Sequence, residues 1–189
     1  MKLQWLPAPS QTWRELQRDR VEMQDLDYSC GAAALATLLR EFYGVNANEA
    51  GVLQRMQKSE AASFADLAAA SDTYGFRAVG IRMPLTDLLR LKIPAIVHLV
   101  HRGEGHFSVI RGIRADGLVA LADPSWGNRR LLRHQFVELW DAEGEGTGKV
   151  LLILPKLKGH PMRRDFFQTP EGAAAAYEAL RFMRQTTVR

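Results

Sequence analysis

Residues 32–39 read Ala-Ala-Ala-Leu-Ala-Thr-Leu-Leu. These are strong helix formers with one β-branched residue and no proline. The turn-like stretch Tyr28-Ser29-Cys30-Gly31 leads into them. Asp27 and Ser29 are residue types that cap helix N-termini, and Gly31 permits close approach by other backbone. The chain's single cysteine therefore stands where a helix begins. A thiol in a first turn feels the partial positive charge of unsatisfied N–H groups, which favours thiolate. Gln24, on the incoming loop, carries a side-chain amide able to point back at the same place. A thiolate with an amide donor beside it is half of an acyl-transfer site, nucleophile plus oxyanion stabiliser. The plainer alternative is a buried packing cysteine. The choice between them turns on whether the chain supplies a base.

At 189 residues the chain suits one domain with a sizeable core. Its 47% apolar and 24% charged content is that of an ordinary globular protein. The formal charge of +4 is mild. The basic residues are scattered, with no aromatic-interleaved stripe, which argues against a nucleic-acid partner. One cysteine excludes an internal disulfide framework and any multi-cysteine zinc site, and no metal or cofactor is expected. No apolar run is long enough to span a bilayer, and the N-terminus lacks the apolar stretch of a signal peptide.

In chain order, residues 1 to about 17 read as an irregular arm, and Arg18 to Gln24 as extended. The Cys30 helix runs to Phe42-Tyr43 and stops at Gly44. A second helix starts near Asn46 or Asn48. A third starts at Ser63, which forms a capping box with Asp66, and ends at Gly75. The pattern then changes to strands: Phe76 to Ile81, Ala95 to Val100, His106 to Ile113, Leu118 to Ala122, Arg129 to Leu132 and Lys149 to Leu154. Short helices fall at Pro84 to Leu91 and His134 to Trp140. After Pro155 comes a polar linker, then a helix from Pro170 to about Gln185, announced by Thr169-Pro170-Glu171. The expected division is an arm over 1–17, a domain over 18–155, and a linker with a C-terminal helix over 156–189. Helices first and an antiparallel sheet second predict an α+β domain of two lobes, the Cys30 helix lying against the sheet.

That sheet offers His106 as the base. If Ile113 to Leu118 closes a hairpin, residues opposite one another sum to roughly 231 in numbering. His106 then faces about Ser125, near Asp123, so imidazole and carboxylate sit at one end of neighbouring strands. A carboxylate on one ring nitrogen fixes the tautomer and leaves the other nitrogen for the thiol. The other histidines compete poorly. His98 and His101 point to opposite faces of one strand, which splits any zinc site built from them and His106. His134 and His160 read as surface residues. Asp25 and Asp27 have a simpler role as loop and cap residues.

Gln24 and Cys30-Gly31 entering an Ala/Leu-rich helix, then Gly105-His106-Phe107-Ser108-Val109-Ile110, then Asp123-Pro124 and Gly127, resemble the bacteriocin-processing, double-glycine-leader cysteine peptidases. The resemblance covers about residues 18–155. It implies a papain-like fold and a cysteine endopeptidase, with Cys30 as nucleophile, His106 as base, Asp123 as orienting carboxylate and Gln24 as oxyanion donor. Inactive relatives lack the cysteine that this chain keeps. Such domains often precede an ATP-driven peptide exporter, which is not found in these residues. The chain is also similar to stand-alone peptidases of bacterial functional-amyloid secretion systems, through Asp-Leu-Asp-Tyr-Ser-Cys-Gly at 25–31. That similarity implies a polypeptide substrate, secretion or amyloid-system partners, and a periplasmic setting with the export signal outside these residues; the single cysteine leaves the cytoplasm as the alternative. The rival readings are a chaperone-like module that holds a substrate without turnover, and amidase or transpeptidase chemistry at the same thiol.

Overall fold

The structure, a computed structural model, describes residues 12–168. A short helix α1 (Trp13–Arg18) precedes α2 (Cys30–Glu41), α3 (Glu49–Met56) and α4 (Phe64–Thr73). Then follow β1 (Phe76–Pro84), α5 (Leu85–Leu88), β2 (Ala95–His101), β3 (Glu104–Ile113), β4 (Val119–Asp123), β5 (Gly127–Leu131), α6 (Arg133–Trp140) and β6 (Thr147–Pro155). A 3-10 turn at Arg164–Phe166 comes last. The strands make one antiparallel sheet in the order β1-β6-β2-β3-β4-β5. The α+β expectation holds.

Local signals set most of the boundaries. Ser63 and Asp66 form the expected capping box at α4, and Asn48 caps α3 by accepting from Gly51 N at 2.8 Å. Gly44, at φ +69°, turns the chain out of α2. The hairpin register expected from the β3–β4 turn is one residue off beside the turn, where Ile113 faces Val119 and Gly112 faces Ala120. A bulge between Ile110 and Gly112 restores it, with Ile110 opposite Leu121 and Val109 opposite Ala122.

Strand alternation sends side chains to both faces of the sheet, and each face is covered. On one side Ile96, Phe107, Val109, Leu151 and Ile153 pack with Leu35, Leu38 and Leu39 of α2, Val52 of α3 and Leu67 of α4. On the other, Val97, Leu99, Ile110, Leu121 and Val150 meet Leu88 of α5 and Phe136 and Trp140 of α6. The two expected lobes are thus three layers, since α6 closes the far face.

Every residue of α2 from Cys30 to Leu39 is buried. Its alanines let the sheet, α3 and α4 approach closely. At Gly31 a Cβ would come within 3.1 Å of both Ala62 Cβ and Phe107 Cδ2. The approach that Gly31 permits is by side chains, not by backbone.

Three expectations need correction. The arm is helical over Trp13–Arg18, because Thr12 and Glu15 form a capping box that pattern reading passed over. The polar linker is packed down: Phe166 is fully buried, Arg163 N donates to Phe42 O at 2.7 Å, and Gln168 N donates to Arg111 O at 2.9 Å. His160 is half-buried, bonded to Tyr43 O at 3.1 Å and set edge-on to the Phe76 ring. The expected helix from Pro170 to about Gln185 lies outside the described residues.

Candidate active site

Cys30 is the first residue of α2 and is only 8% exposed. Ser29 holds the N-cap position but does not cap the helix. Its hydroxyl donates to Leu26 O at 2.7 Å and accepts from Leu26 N at 3.2 Å. No side-chain cap therefore competes for the first-turn N–H groups, which are left near the thiol. Burial pushes the Cys30 thiol up. The neighbouring His106 and the backbone N–H groups of Phe107 and Gly31 outweigh burial and bring it below its ordinary value.

His106 stands near the start of β3, and its Nε2 lies 2.9 Å from Asp123 Oδ1. That bond commits Nε2 to the carboxylate and leaves Nδ1 free of it. Burial alone would lower the imidazole, but Asp123 and Cys30 raise it to about 9. Both shifts run in the direction of thiolate and imidazolium.

Asp123 ends β4, where Pro124 interrupts the ladder. The turn then folds its own N–H groups back onto the carboxylate. Oδ1 accepts from His106, from Ser125 N at 3.0 Å and from Trp126 N at 3.2 Å. Asp123 is fully buried, and burial would raise its carboxyl. The imidazolium, the Ser125 N–H and the Arg129 charge hold it below the usual range. Oδ2 makes no hydrogen bond; Arg129 Nη1 stands 3.9 Å from it, with the guanidinium over the Trp126 ring at 4.6 Å.

Gln24 belongs to a segment held at several points along its backbone. Glu22 N donates to Thr37 Oγ1 at 2.9 Å, Gln24 N to Pro124 O at 2.9 Å, and Asp25 N to both Glu49 oxygens at 3.1 and 3.0 Å. The Gln24 amide accepts from Ser125 Oγ at 2.7 Å and donates to Leu26 O at 3.0 Å and Asp27 O at 3.4 Å. Its NH₂ end thus faces the loop that leads into Cys30 and makes no hydrogen bond to the sulfur. His106 and Asp123 are joined by a hydrogen bond, and Gln24 is tied to the Asp123 turn.

Asp25 and Asp27 are exposed, as suits loop residues. His134 is exposed as expected. His98 is half-buried against Phe107, and His101 is exposed. Sequence reading missed Glu49, Ser125, Trp126 and Arg129. Glu49 looks like an ordinary first-turn acid, and its bonds to Asp25 N appear only once α3 is packed.

A family model described as the peptidase C39 family matches residues 18–156. The chain belongs to that family. It is 35% identical over 153 residues to a probable functional amyloid protease, FapD, of Pseudomonas aeruginosa, covering 73% of this chain and 67% of that one. Over 144 residues it is 35% identical to the FapD of Pseudomonas fluorescens, covering 69% of this chain and 63% of that one. It spans about two thirds of the length of these relatives. Among solved structures, the peptidase domain of Streptococcus ComA, a bifunctional ABC transporter, superposes with a TM-score of 0.62 at 22% identity. That match covers 71% of this chain and 97% of the ComA domain. A double-glycine-motif protease from an AMS/PCAT transporter, solved with its leader peptide, gives 0.55 at 23% identity, covering 71% and 90%. The C39 chain therefore has the papain-like peptidase fold. Among the described residues no helix is long and apolar enough to cross a membrane.

Proposed function

We propose that this C39 protein is a cysteine endopeptidase that cleaves an exported polypeptide, with Cys30 as nucleophile, His106 as acid and base, Asp123 as orienting carboxylate and Gln24 as oxyanion donor. The observation that carries the proposal is the 2.9 Å bond from His106 to the buried Asp123 carboxylate, and the opposite shifts that His106 and Cys30 impose on one another support it.

The Cys30 thiolate attacks the scissile carbonyl carbon, forming the C–S bond and placing charge on the carbonyl oxygen. The Gln24 amide and the Cys30 backbone N–H stabilise that oxyanion, each donor being worth about 3–4 kcal/mol in the transition state. Imidazolium His106 protonates the leaving amine as the C–N bond breaks. It then takes a proton from water, whose oxygen attacks the thioester and releases the acid and the thiolate. Binding Asp27 O at 3.4 Å is the weaker of the two Gln24 donations, and an oxyanion replaces it at little cost.

The FapD relatives support a substrate in functional-amyloid biogenesis, and the leader-bound neighbour supports a polypeptide substrate. The deciding experiment co-expresses the chain with candidate secreted proteins and reads cleavage by mass spectrometry. Cys30→Ala abolishes cleavage, and iodoacetamide modifies Cys30 rapidly near neutral pH. Cleavage that persists in Cys30→Ala, or a thiol as slow as a buried packing cysteine, overturns the reading.

A further inference from the structure

We infer that Ser125 is a positioning residue that couples the two halves of the site, setting the oxyanion donor without setting the nucleophile. The inference rests on the peptidase reading above and concerns a residue outside the four assigned there.

Ser125 touches both halves through different atoms. Its backbone N–H donates to Asp123 Oδ1 at 3.0 Å, on the carboxylate that holds His106. Its hydroxyl donates to Gln24 Oε1 at 2.7 Å, across a gap of 101 residues. The adjoining Pro124 O accepts from Gln24 N at 2.9 Å, so turn and loop are joined by backbone as well as by side chain.

The hydroxyl acts on orientation. A Gln side chain offers an acceptor at one end and two donors at the other. Here the donor end meets Leu26 O and Asp27 O, and the acceptor end meets Ser125 Oγ. A flipped amide would set its oxygen against two carbonyl oxygens. Ser125 fixes the far end of the side chain, so the NH₂ group is held towards the entry to α2. Without that bond the amide keeps only its donations to Leu26 O and Asp27 O, and its far end is free to swing.

Because the two contacts use different atoms, substitution separates them. Ser125→Ala keeps the N–H that supports Asp123 and deletes only the link to Gln24. The exposed position leaves room for the extra methyl of Ser125→Thr, which restores a hydroxyl.

Two small reagents read the halves on the full chain. Iodoacetamide reports thiolate alone, since its displacement develops no oxyanion. With p-nitrophenyl acetate the thiolate adds to the ester carbonyl, the C–S bond forms, and p-nitrophenolate leaves with the electron pair of the broken C–O bond. That route passes through an oxyanion.

Ser125→Ala is expected to lower the acylation rate about tenfold, the worth of one orienting hydrogen bond. The alkylation rate and its pH profile stay at parental values, and Ser125→Thr recovers acylation. Adding Gln24→Ala to Ser125→Ala costs no more than Gln24→Ala alone, because the hydroxyl acts only through the amide. Unchanged acylation in Ser125→Ala overturns the inference, as does a parallel fall in alkylation, which would make Ser125 a support of Asp123 or of the fold. A parent protein that iodoacetamide labels slowly and p-nitrophenyl acetate does not acylate overturns the peptidase reading itself, a result distinct from either.

Discussion

His106 Nε2 and Asp123 Oδ1 lie 2.9 Å apart, on neighbouring strands, with the carboxylate fully buried. The contact sits past the end of the β3–β4 ladder, whose last pair on this side is Val109 with Ala122. Side chains, not backbone hydrogen bonds, thus join the strands at this end. Asp123→Asn keeps an oxygen that accepts from His106, Ser125 and Trp126 and removes only the charge. The midpoint of the alkylation–pH profile is expected to move upward, because the imidazolium that lowers the thiol is less favoured. Peptide turnover falls about 10²-fold, at the lower end for an acid–base group. An unmoved midpoint would show that Asp123 plays no electrostatic part.

His106 has a folded value of about 9 against an ordinary 6.5. Its contribution to stability is therefore fully present below 6.5 and is lost as pH rises through about 9. Proton NMR of the imidazole ring is expected to show a midpoint near 9. In Cys30→Ala the midpoint drops but stays above 6.5, since Asp123 remains. A midpoint at the ordinary value in both proteins would contradict the ion pair.

Glu49 is 5% exposed, and both its oxygens accept from Asp25 N next to Gln24. Glu49→Ala leaves that N–H without a partner and is expected to cost about 1–3 kcal/mol in urea unfolding. Acylation by p-nitrophenyl acetate falls with it, while Glu49→Gln, which keeps an acceptor oxygen, recovers most of both.

Gly127 and Gly144 share the left-handed conformation, at φ +73° and +69°. A Cβ at Gly127 would lie 2.3 Å from Gln17 O, whereas nothing lies within 4 Å at Gly144. Gly144→Ala is expected to cost about 1–2 kcal/mol, the conformational penalty alone. Gly127→Ala costs about 1–3 kcal/mol more, as in overpacking, because α1 must move off the turn. Equal melting temperatures for the two variants would show that α1 is not held there.

Phe166 is fully buried beneath Arg20 and Arg111, whose guanidinium carbons stand 5.2 and 5.0 Å from its ring centre. Phe166→Ala is expected to cost about 3–5 kcal/mol. Thermal unfolding checks this, and a cost under about 1 kcal/mol, the range of surface substitutions, would mean that the segment is a loose tether.

The sequence by itself determined the features that depend on a few adjacent residues. Ser63 and Asp66 specify a helix start, the Ala/Leu run specifies α2, and the short β3–β4 hairpin pairs the strands that carry His106 and Asp123, though the bulge between Ile110 and Gly112 was not legible in it. Capping, helix propensity and hairpin pairing are local interactions, so their outcome is written in local spacing. The tertiary structure decided what depends on segments far apart in the chain. Cys30 is buried, with its thiol nevertheless held below its ordinary value, because α2 brings it to His106 and to the Phe107 N–H. Gln24 faces Ser125 and the Leu26 and Asp27 carbonyls, and Glu49 holds the loop. Phe166 reaches the core from a polar stretch. These contacts form only when the three layers pack, since a lone amide, carboxylate or phenyl ring carries no local preference for its partner.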